Sequence, residues 1–303
     1  MAWQGRGMSI DLTSAASFMA AHARVLDRRR FEAATGGGDA AKRALVAALD
    51  GYRNADGGYG WGLEPDLRAT ESQPGGAQHA LEVIADAAPV ATPHLRSLLD
   101  WLDAVTLPDG GLPFALPIAD ATACAPFWAQ ADPTESSLQI TAAIAARAHR
   151  VARQDATVLD HPWLRAATRY CFDAIGRIDT APFAYVLSFS LQLLDAAADS
   201  QPEARDLLAH LGRYVPGDGA VPVDGGSEGE TLHLLDYAPE PGRPVRELLD
   251  PAAVARDLDR LEGGQLADGG WDVDYASYSP AAALDWRGYV TANAVAVLRM
   301  NGR

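Results

Sequence analysis

One stretch decides the fold, Gln265-Leu266-Ala267-Asp268-Gly269-Gly270-Trp271, which connects two segments with helical periodicity. The Asp-Gly-Gly sequence recurs at residues 56–58 and 109–111, and Asp218-Gly219 is a degraded fourth copy. Aspartate side chains accept hydrogen bonds from nearby backbone N–H groups, and glycine adopts positive φ angles without steric cost, so each copy predicts a tight turn. Turns that recur about every 50 residues indicate a repeat architecture.

The helical segments between these turns fall into two classes, which differ in charge. Segments that begin near residues 75, 134, 181 and 287 are poor in charged residues, whereas those near residues 39, 93, 161, 203 and 251 are amphipathic. A helix without a polar face has to be buried on all sides, whereas an amphipathic helix keeps one face in water. The alternation predicts an all-α protein, an α/α toroid with about six inner and about five outer helices.

Because the sequence contains no composition change typical of a linker, we expect residues 1–303 to form a single domain. The helical spacing predicts continuous helices over residues 13–31, 134–152 and 287–300. Residues 217–229 are rich in glycine and are predicted to form a loop.

Composition and charge exclude several classes of protein. The chain has 40 acidic and 25 basic residues and a net charge of −15, whereas a nucleic-acid partner requires a basic surface. The two cysteines, Cys124 and Cys171, have no metal-ligand spacing, and the first eleven residues lack the apolar region of a signal peptide. These features predict a cytoplasmic protein without a membrane span, a metal or another cofactor.

The Gln-x-x-x-Gly-x-Trp pattern of residues 265–271 resembles the glutamine–tryptophan turns of the terpenoid cyclase and protein prenyltransferase repeat family. The resemblance covers most of the chain in its rhythm of turns and helices. It implies a squalene–hopene cyclase-like toroid with a central cavity for a small hydrophobic, isoprenoid-type molecule. It also implies that Trp271 is structural, because the family uses this aromatic residue to tie two helical hairpins together.

Neither the family's acid motif nor its zinc site is complete in this sequence. Squalene–hopene-type cyclases protonate an alkene with the central acid of Asp-x-Asp-Asp-Thr, and the matching segment here is Asp132-Pro133-Thr134-Glu135-Ser136. Thr134 stands where that acid is expected, so the resemblance implies a divergent, stand-alone member. Family members that transfer prenyl groups bind zinc through Asp, Cys and His, and neither cysteine lies in such a pattern.

Acidic and aromatic residues cluster just before the predicted inner helices, whose N-termini face the central cavity of a toroid. Glu64 and Asp66 follow the first complete Asp-Gly-Gly turn as Asp272 and Asp274 follow the last, and closure of a toroid brings these two hairpins side by side. Crowded carboxylates raise one another's pKa, which suits a general acid. The predicted catalytic residues are Glu64, Asp66, Asp236 and Asp272. The predicted substrate-binding residues are Trp61, Arg68, Trp128, Glu135, His233, Tyr237, Asp274 and Trp286.

Three functions are consistent with the sequence. The first is binding or cyclisation of an isoprenoid-type substrate, in which a neutral acid donates a proton and aromatic faces stabilise a cation. The second is a carbohydrate-active toroid enzyme that uses a carboxylate pair, with Glu64/Asp66 or Asp272/Asp274 as candidates. The third is a non-catalytic binding protein on the same fold, which the missing acid in residues 132–136 favours. The sequence indicates neither the substrate nor the oligomeric state.

Overall fold

The computed structural model describes residues 10–303, and this part of the chain is mainly helical. Its α-helices are α1 Leu12–His22, α2 Val25–Ala34, α3 Gly38–Leu49, α4 Pro74–Asp86, α5 Leu95–Val105, α6 Pro126–Ala129, α7 Leu138–Ala152, α8 Pro162–Gly176, α9 Ala184–Ala197, α10 Ala204–Gly212, α11 Leu234–Tyr237, α12 Pro251–Gly263 and α13 Pro280–Met300. Short 3-10 helices span Asp50–Tyr52, Ala156–Asp160 and Pro244–Leu248. Strands β1 (Val221–Pro222) and β2 (Thr231–Leu232) form an antiparallel pair. The all-α prediction is confirmed.

One set of helices forms a series in which each helix packs against the next member along the chain, and the last helix, α13, packs against α2. Helix α2 packs against α13 and α4, α7 packs between α4 and α9, and α11 packs against α9. A second set covers them: α3 packs on α2 and α4, α5 on α4 and α8, α8 on α7, α10 on α8 and α9, and α12 on α11 and α13. Twelve of the fifteen residues of α7 are buried, whereas α12 buries four of its thirteen. The two classes of helix therefore differ in burial as their charge content predicts.

The three complete Asp-Gly-Gly turns have the same geometry. The aspartate Oδ1 accepts a hydrogen bond from the second glycine N–H at 3.0 Å for Asp56, 3.1 Å for Asp109 and 3.1 Å for Asp268. The first glycine has a φ of 98°, 92° and 92° in chain order. A Cβ on Gly269 would lie 2.2 Å from the carbonyl oxygen of Ser14, so only glycine permits this approach of the turn to α1.

The last of these turns fastens three helices to one another. Trp271 is 4% exposed, and its indole Nε1 donates to the Leu261 carbonyl of α12 at 2.7 Å. Its backbone N–H donates to the Thr291 hydroxyl of α13 at 2.9 Å. The Gln265 amide exchanges two 2.9 Å hydrogen bonds with the backbone of Asp11, at the start of α1. The turn therefore makes the contacts that a structural tryptophan requires.

Several element boundaries differ from the sequence prediction because polar side chains cap the backbone elsewhere. The predicted helix over residues 13–31 is interrupted at Ala23 and Arg24, where the Arg24 side chain donates to the carbonyls of Gly62 and Leu63. The helix expected from residue 134 begins at Leu138, after the N-cap Ser137. The last helix begins at Pro280 because Ser279 caps it.

The glycine-rich stretch 217–229 also contains β1, where a loop alone was predicted. Among residues 10–303, no helix combines the length and the apolar composition needed to cross a membrane.

Candidate functional site

A chain of buried charges links α2, α4 and the loop that precedes α4. Arg30 of α2 donates to Glu82 at 3.1 Å and to Asp86 at 2.8 Å. The His79 ring contacts Glu82 through Nδ1 at 3.3 Å and Glu64 through Nε2 at 2.7 Å. Glu64, His79, Glu82 and Arg30 are each less than 8% exposed. We call these four residues the charge cluster.

Contacts within the charge cluster favour the ionised forms of His79 and Glu82. Burial alone would lower the pKa of His79, but hydrogen bonds to Glu64 and Glu82 outweigh it and raise the pKa above its ordinary value. Burial would likewise raise the pKa of Glu82, but the charge of Arg30 and the hydrogen bond from His79 hold it well below its usual range. Each ring nitrogen of His79 faces one carboxylate, which is the arrangement that favours an imidazolium with two N–H donors.

Three aromatic side chains pack edge to face beside this cluster. The ring of Trp286 lies 5.3 Å from that of Tyr275 and 5.5 Å from that of Tyr289, at interplanar angles of 87° and 86°. The Tyr289 ring lies 5.3 Å from the His79 imidazole, and its hydroxyl donates to Glu82 at 2.9 Å. Burial raises the pKa of Tyr275 well above its ordinary value. We call Trp286, Tyr275 and Tyr289 the aromatic wall.

Asp66 joins the first hairpin to the last. Trp286 Nε1 donates to its Oδ2 at 2.7 Å, and the backbone N–H of Tyr278 donates to its Oδ1 at 3.2 Å. Burial raises the pKa of Asp66, and these two hydrogen bonds offset only part of that rise. Arg68 extends the junction, because it donates to Asp285 at 2.6 Å and not to Glu64 or Asp66.

Helix α9 presents one accessible stripe toward the same region. Its half-buried residues are Tyr185, Val186, Phe189 and Gln192, whereas its other positions are buried. Residues spaced by three or four lie on one face of a helix, and neighbouring helices cover the rest of α9. This face is therefore the side of α9 that its neighbouring helices leave partly uncovered, and we call the region in front of it the central space.

Arg147 of α7 reaches this stripe. Its guanidinium carbon lies 5.5 Å from the centre of the Phe189 ring, and its NH1 donates to Gln192 at 3.3 Å and to the Ala143 carbonyl at 2.9 Å. The side chain is buried, and no carboxylate among residues 10–303 lies within 4.0 Å of it.

Two further predicted residues, Asp274 and Asp236, act through their charges on Tyr185 of α9. Burial and the hydrogen bond to Glu230 raise the pKa of Tyr185 far above its ordinary value, and the charges of Asp274 and Asp236 add to that rise. Asp236 accepts a hydrogen bond from the backbone of His233 at 2.7 Å and has an exposed surface, yet burial raises its pKa.

The structure does not bring Asp272 into this group. Its side chain is 59% exposed, accepts a hydrogen bond from the backbone of Val273, and lies 4.0 Å from Arg287 on the outer side of the turn. Glu135 is also exposed. The residue after the Asp-Gly-Gly-Trp turn is directed outward because Trp271 occupies the interior.

The remaining predicted residues make different local contacts. Tyr237 is fully buried and donates to the Gly219 carbonyl at 2.9 Å, which makes it a packing residue. Trp128 is buried and stacks on Phe114 with ring centres 4.4 Å apart. His233 lies 3.9 Å from Asp257 of α12.

Trp61 has an unusual backbone. It is 56% exposed, adopts a φ of 58°, and donates through its indole to Asn54 at 2.8 Å. An aromatic residue in the left-handed region is strained, and such residues concentrate at functional sites. The binding role of Trp61 therefore stays a prediction.

Sequence reasoning missed Arg30, His79, Glu82, Arg147 and Tyr289. Two local signals were present. His79 and Glu82 are three residues apart in a helix otherwise poor in charge, and Arg147 is a lone cation in an alanine-rich run. A charged residue in a helix that is buried on all sides requires a partner or a ligand.

A cleft of about 270 Å³ lies outside this site, between α8 and its neighbours, with His149 and Thr168 in its wall. His149 Nε2 contacts the Thr168 hydroxyl at 2.9 Å, and burial lowers the pKa of His149 to about 4. This histidine is therefore neutral at physiological pH and has a packing role.

Comparisons with known proteins identify a shared fold and no family. No family model and no curated protein matches the chain. Among solved structures, a crystal structure of a protein from Actinoplanes is similar, with a TM-score of 0.57 and 15% sequence identity. The similarity covers 97% of this chain and 100% of that chain. At this level of identity, the likeness concerns the fold alone.

Proposed function

We propose that the helices form an α/α toroid of the terpenoid cyclase type, and that the protein binds and cyclises a hydrophobic, isoprenoid-type molecule in the central space. The order of helix packing supports the toroid, because α13, α2, α4, α7, α9 and α11 are successive neighbours and a second set covers them. Three Asp-Gly-Gly turns with the same hydrogen bonds support a repeated hairpin.

The observation that carries this proposal is the aromatic wall beside a buried acid. Trp286, Tyr275 and Tyr289 are half-buried and pack edge to face, and Trp286 also binds Asp66. Aromatic surfaces bury apolar ligands well, and their faces attract cations. An apolar, unsaturated ligand that becomes cationic during reaction suits such a wall.

Asp66 takes the role of general acid in this proposal. Burial raises its pKa, which favours the protonated form that a proton donor requires. The proton of Asp66 passes to one carbon of a C=C bond, and the π electrons form the new C–H bond and leave a cation on the other carbon. Trp286 and Tyr278 then hold the resulting Asp66 carboxylate through their N–H groups. The cyclised cation later loses a proton to water, with the C–H electrons forming a new C=C bond, and Asp66 regains a proton from water, so the net reaction is an isomerisation.

The segment that matches the family's acid motif has no such role. Asp132 accepts hydrogen bonds from the backbone and hydroxyl of Thr134 at 2.8 and 2.6 Å. These hydrogen bonds lower the pKa of Asp132, so its carboxylate is ionised and closes a turn. The proposal therefore places the acid on Asp66, at the start of α4, instead of at the start of α7.

The carbohydrate alternative is less well supported. A glycosidase requires two carboxyl groups that are free to reach one substrate bond. Glu64 is occupied by His79 and by the backbone N–H of Asp66, and Asp272 faces outward. In the non-catalytic alternative, the protein binds the same class of ligand as the proposed enzyme but does not convert it to a product.

Binding and turnover of farnesol, a neutral isoprenoid alcohol, test the proposal. We expect calorimetry to show binding to the wild type, and we expect Trp286→Leu to weaken it about 10-fold or more because a large aromatic contact is lost. Asp272→Asn serves as the control, since that side chain faces outward, and it keeps full affinity.

Product analysis by mass spectrometry separates an enzyme from a binding protein. We expect wild type to convert the unsaturated chain to cyclic isomers, and Asp66→Asn to lower the rate about 100-fold or more while farnesol still binds. Binding without any product supports the non-catalytic alternative. An absence of farnesol binding to the wild type would overturn the proposed function.

A further inference from the structure

The position of Arg147 sets it apart from the other arginines of the structure. It lies in the middle of α7, in the run Ile144-Ala145-Ala146-Arg147-Ala148, and it is 7% exposed. Its contacts with Phe189 and Gln192 direct it to the accessible stripe of α9. The cation therefore lies on the wall of the central space.

Arg147 lacks the partners that a buried guanidinium requires. NH1 makes two hydrogen bonds to neutral oxygens, and Nε is buried with no hydrogen-bond partner in the described residues. The oxygens of Glu82, the carboxylate that acts on Arg147 through space, are already occupied by Arg30, His79 and Tyr289. Two of the three guanidinium nitrogens thus make no hydrogen bond to a described residue.

An uncompensated buried charge costs several kcal/mol, and chains avoid that cost unless the group has a use. A guanidinium presents N–H donors in a planar fork that matches carboxylate and phosphate oxygens. The adjacent surface is apolar and aromatic, formed by Phe189 below the cation and Tyr289 of the aromatic wall. The site therefore combines an aromatic surface with a guanidinium that forms no ion pair among residues 10–303.

We propose that Arg147 binds an oxyanion, of the carboxylate or phosphate type, carried at one end of the hydrophobic ligand. The inference rests on the proposed function, since it adds a head group to the isoprenoid-type molecule in the central space. Gln192 positions the guanidinium, because its side-chain oxygen accepts from Arg147 and its amide donates to the Asp236 carbonyl. The ligand that fits is an anionic amphiphile.

The test compares three probes with the same chain: farnesol, farnesoic acid and farnesyl monophosphate. We expect calorimetry at neutral pH to show that at least one anionic probe binds the wild type about 10- to 100-fold more tightly than farnesol. The probe that gains more identifies a carboxylate or a phosphate as the head group. Calorimetry with inorganic phosphate and with acetate measures the affinity for the head group without the isoprenoid chain.

Variants then assign the gain to Arg147. Arg147→Met removes the cation and keeps a long apolar side chain, and we expect it to bind all three probes with the affinity that wild type has for farnesol. Arg150→Gln is the matched control, because Arg150 lies one turn along α7 and contacts Asp86 and Glu240 at 3.6 Å. It keeps the preference for anions. Arg147→Gln provides a second variant if Arg147→Met does not fold.

The outcomes separate this inference from the proposed function. If wild type binds farnesol and both anionic probes equally, the inference is overturned and the proposed function stands. If Arg147→Met and wild type prefer the anionic probes equally, the inference is likewise overturned. If only the anionic probes bind, and this binding requires Arg147, the inference is supported and the proposed neutral substrate is wrong. If no probe binds, both are overturned.

Discussion

Arg30 and Arg147 are equally enclosed, with 7% exposure each, yet their surroundings differ. Arg30 on α2 pairs with Glu82 and Asp86, whereas Arg147 on α7 pairs with no described carboxylate. Burial alone would lower the pKa of each arginine. The two carboxylates raise the pKa of Arg30 well above its ordinary value, whereas the pKa of Arg147 remains lowered.

The comparison teaches how to separate a structural charge from a functional one. Arg30 completes a set of partners within the protein, so its removal takes the guanidinium away from the buried Glu82 and the half-buried Asp86. Arg147 forms no ion pair with a described carboxylate, so its removal leaves no carboxylate without a direct partner. Although the two arginines are equally buried, we expect substitution of Arg30 to lower the stability of the fold and substitution of Arg147 to weaken ligand binding.

The largest expected effect is the loss of stability in Arg30→Met. Removal of one partner from a buried ion pair typically costs about 3–5 kcal/mol, and Glu82 keeps its charge in a buried site when Arg30 is removed. Urea denaturation measures the change in the free energy of unfolding. Arg29→Met is the control, because its partner Glu32 is 46% exposed and the pair is 2.6 Å apart at the surface. An unchanged stability for Arg30→Met would show that the charge cluster does not hold α2 to α4.

A smaller loss is expected for Glu82→Gln, which keeps the shape of the side chain and removes its charge. Arg30 retains Asp86 as a partner, so we expect the free energy of unfolding to fall by about 1–3 kcal/mol. Glu247→Gln, at a side chain that is 70% exposed, should change stability by less than about 0.5 kcal/mol. Equal effects of the two substitutions would contradict the role given to Glu82.

We expect a still smaller effect from His79, which should make the free energy of unfolding depend on pH. Its pKa is raised in the folded state, so the stability it contributes is complete below its unfolded pKa, about 6.5. That contribution is lost as the pH rises through the folded pKa. We expect wild type to lose stability over this interval, and His79→Asn to lose less, as measured by urea denaturation across a pH series. Identical slopes for both proteins would place the proton elsewhere in the cluster.

The turns and the helices were readable from the sequence because they depend on neighbours along the chain. Each Asp-Gly-Gly copy specifies its own hydrogen bond, and charge content separated buried from amphipathic helices. The approach of Asp66 to Trp286 was predicted at the level of segments, from the expectation that the first and last hairpins meet. Asp272 failed to join them because the direction of one side chain depends on packing around Trp271.

The charge cluster could not be predicted because its contacts are distant in sequence. Arg30 and Glu82 are separated by 52 residues, and Glu82 and Tyr289 by 207. Such pairs leave no local periodicity, and a lone histidine on a helix is usually a core or surface residue. The sequence carried two local signals of conflict, namely His79 and Glu82 in a charge-poor helix and Arg147 in an alanine-rich run, and neither signal identified the partners.

The stability of Arg147→Met without ligand tests most directly whether this arginine is kept for binding. Urea denaturation of the variant and of wild type, at the same pH, gives the difference in the free energy of unfolding. Removal of an unpaired buried charge should leave that free energy unchanged within about 0.5 kcal/mol or increase it. A loss as large as that of Arg30→Met would contradict the prediction and make Arg147 part of the folded framework.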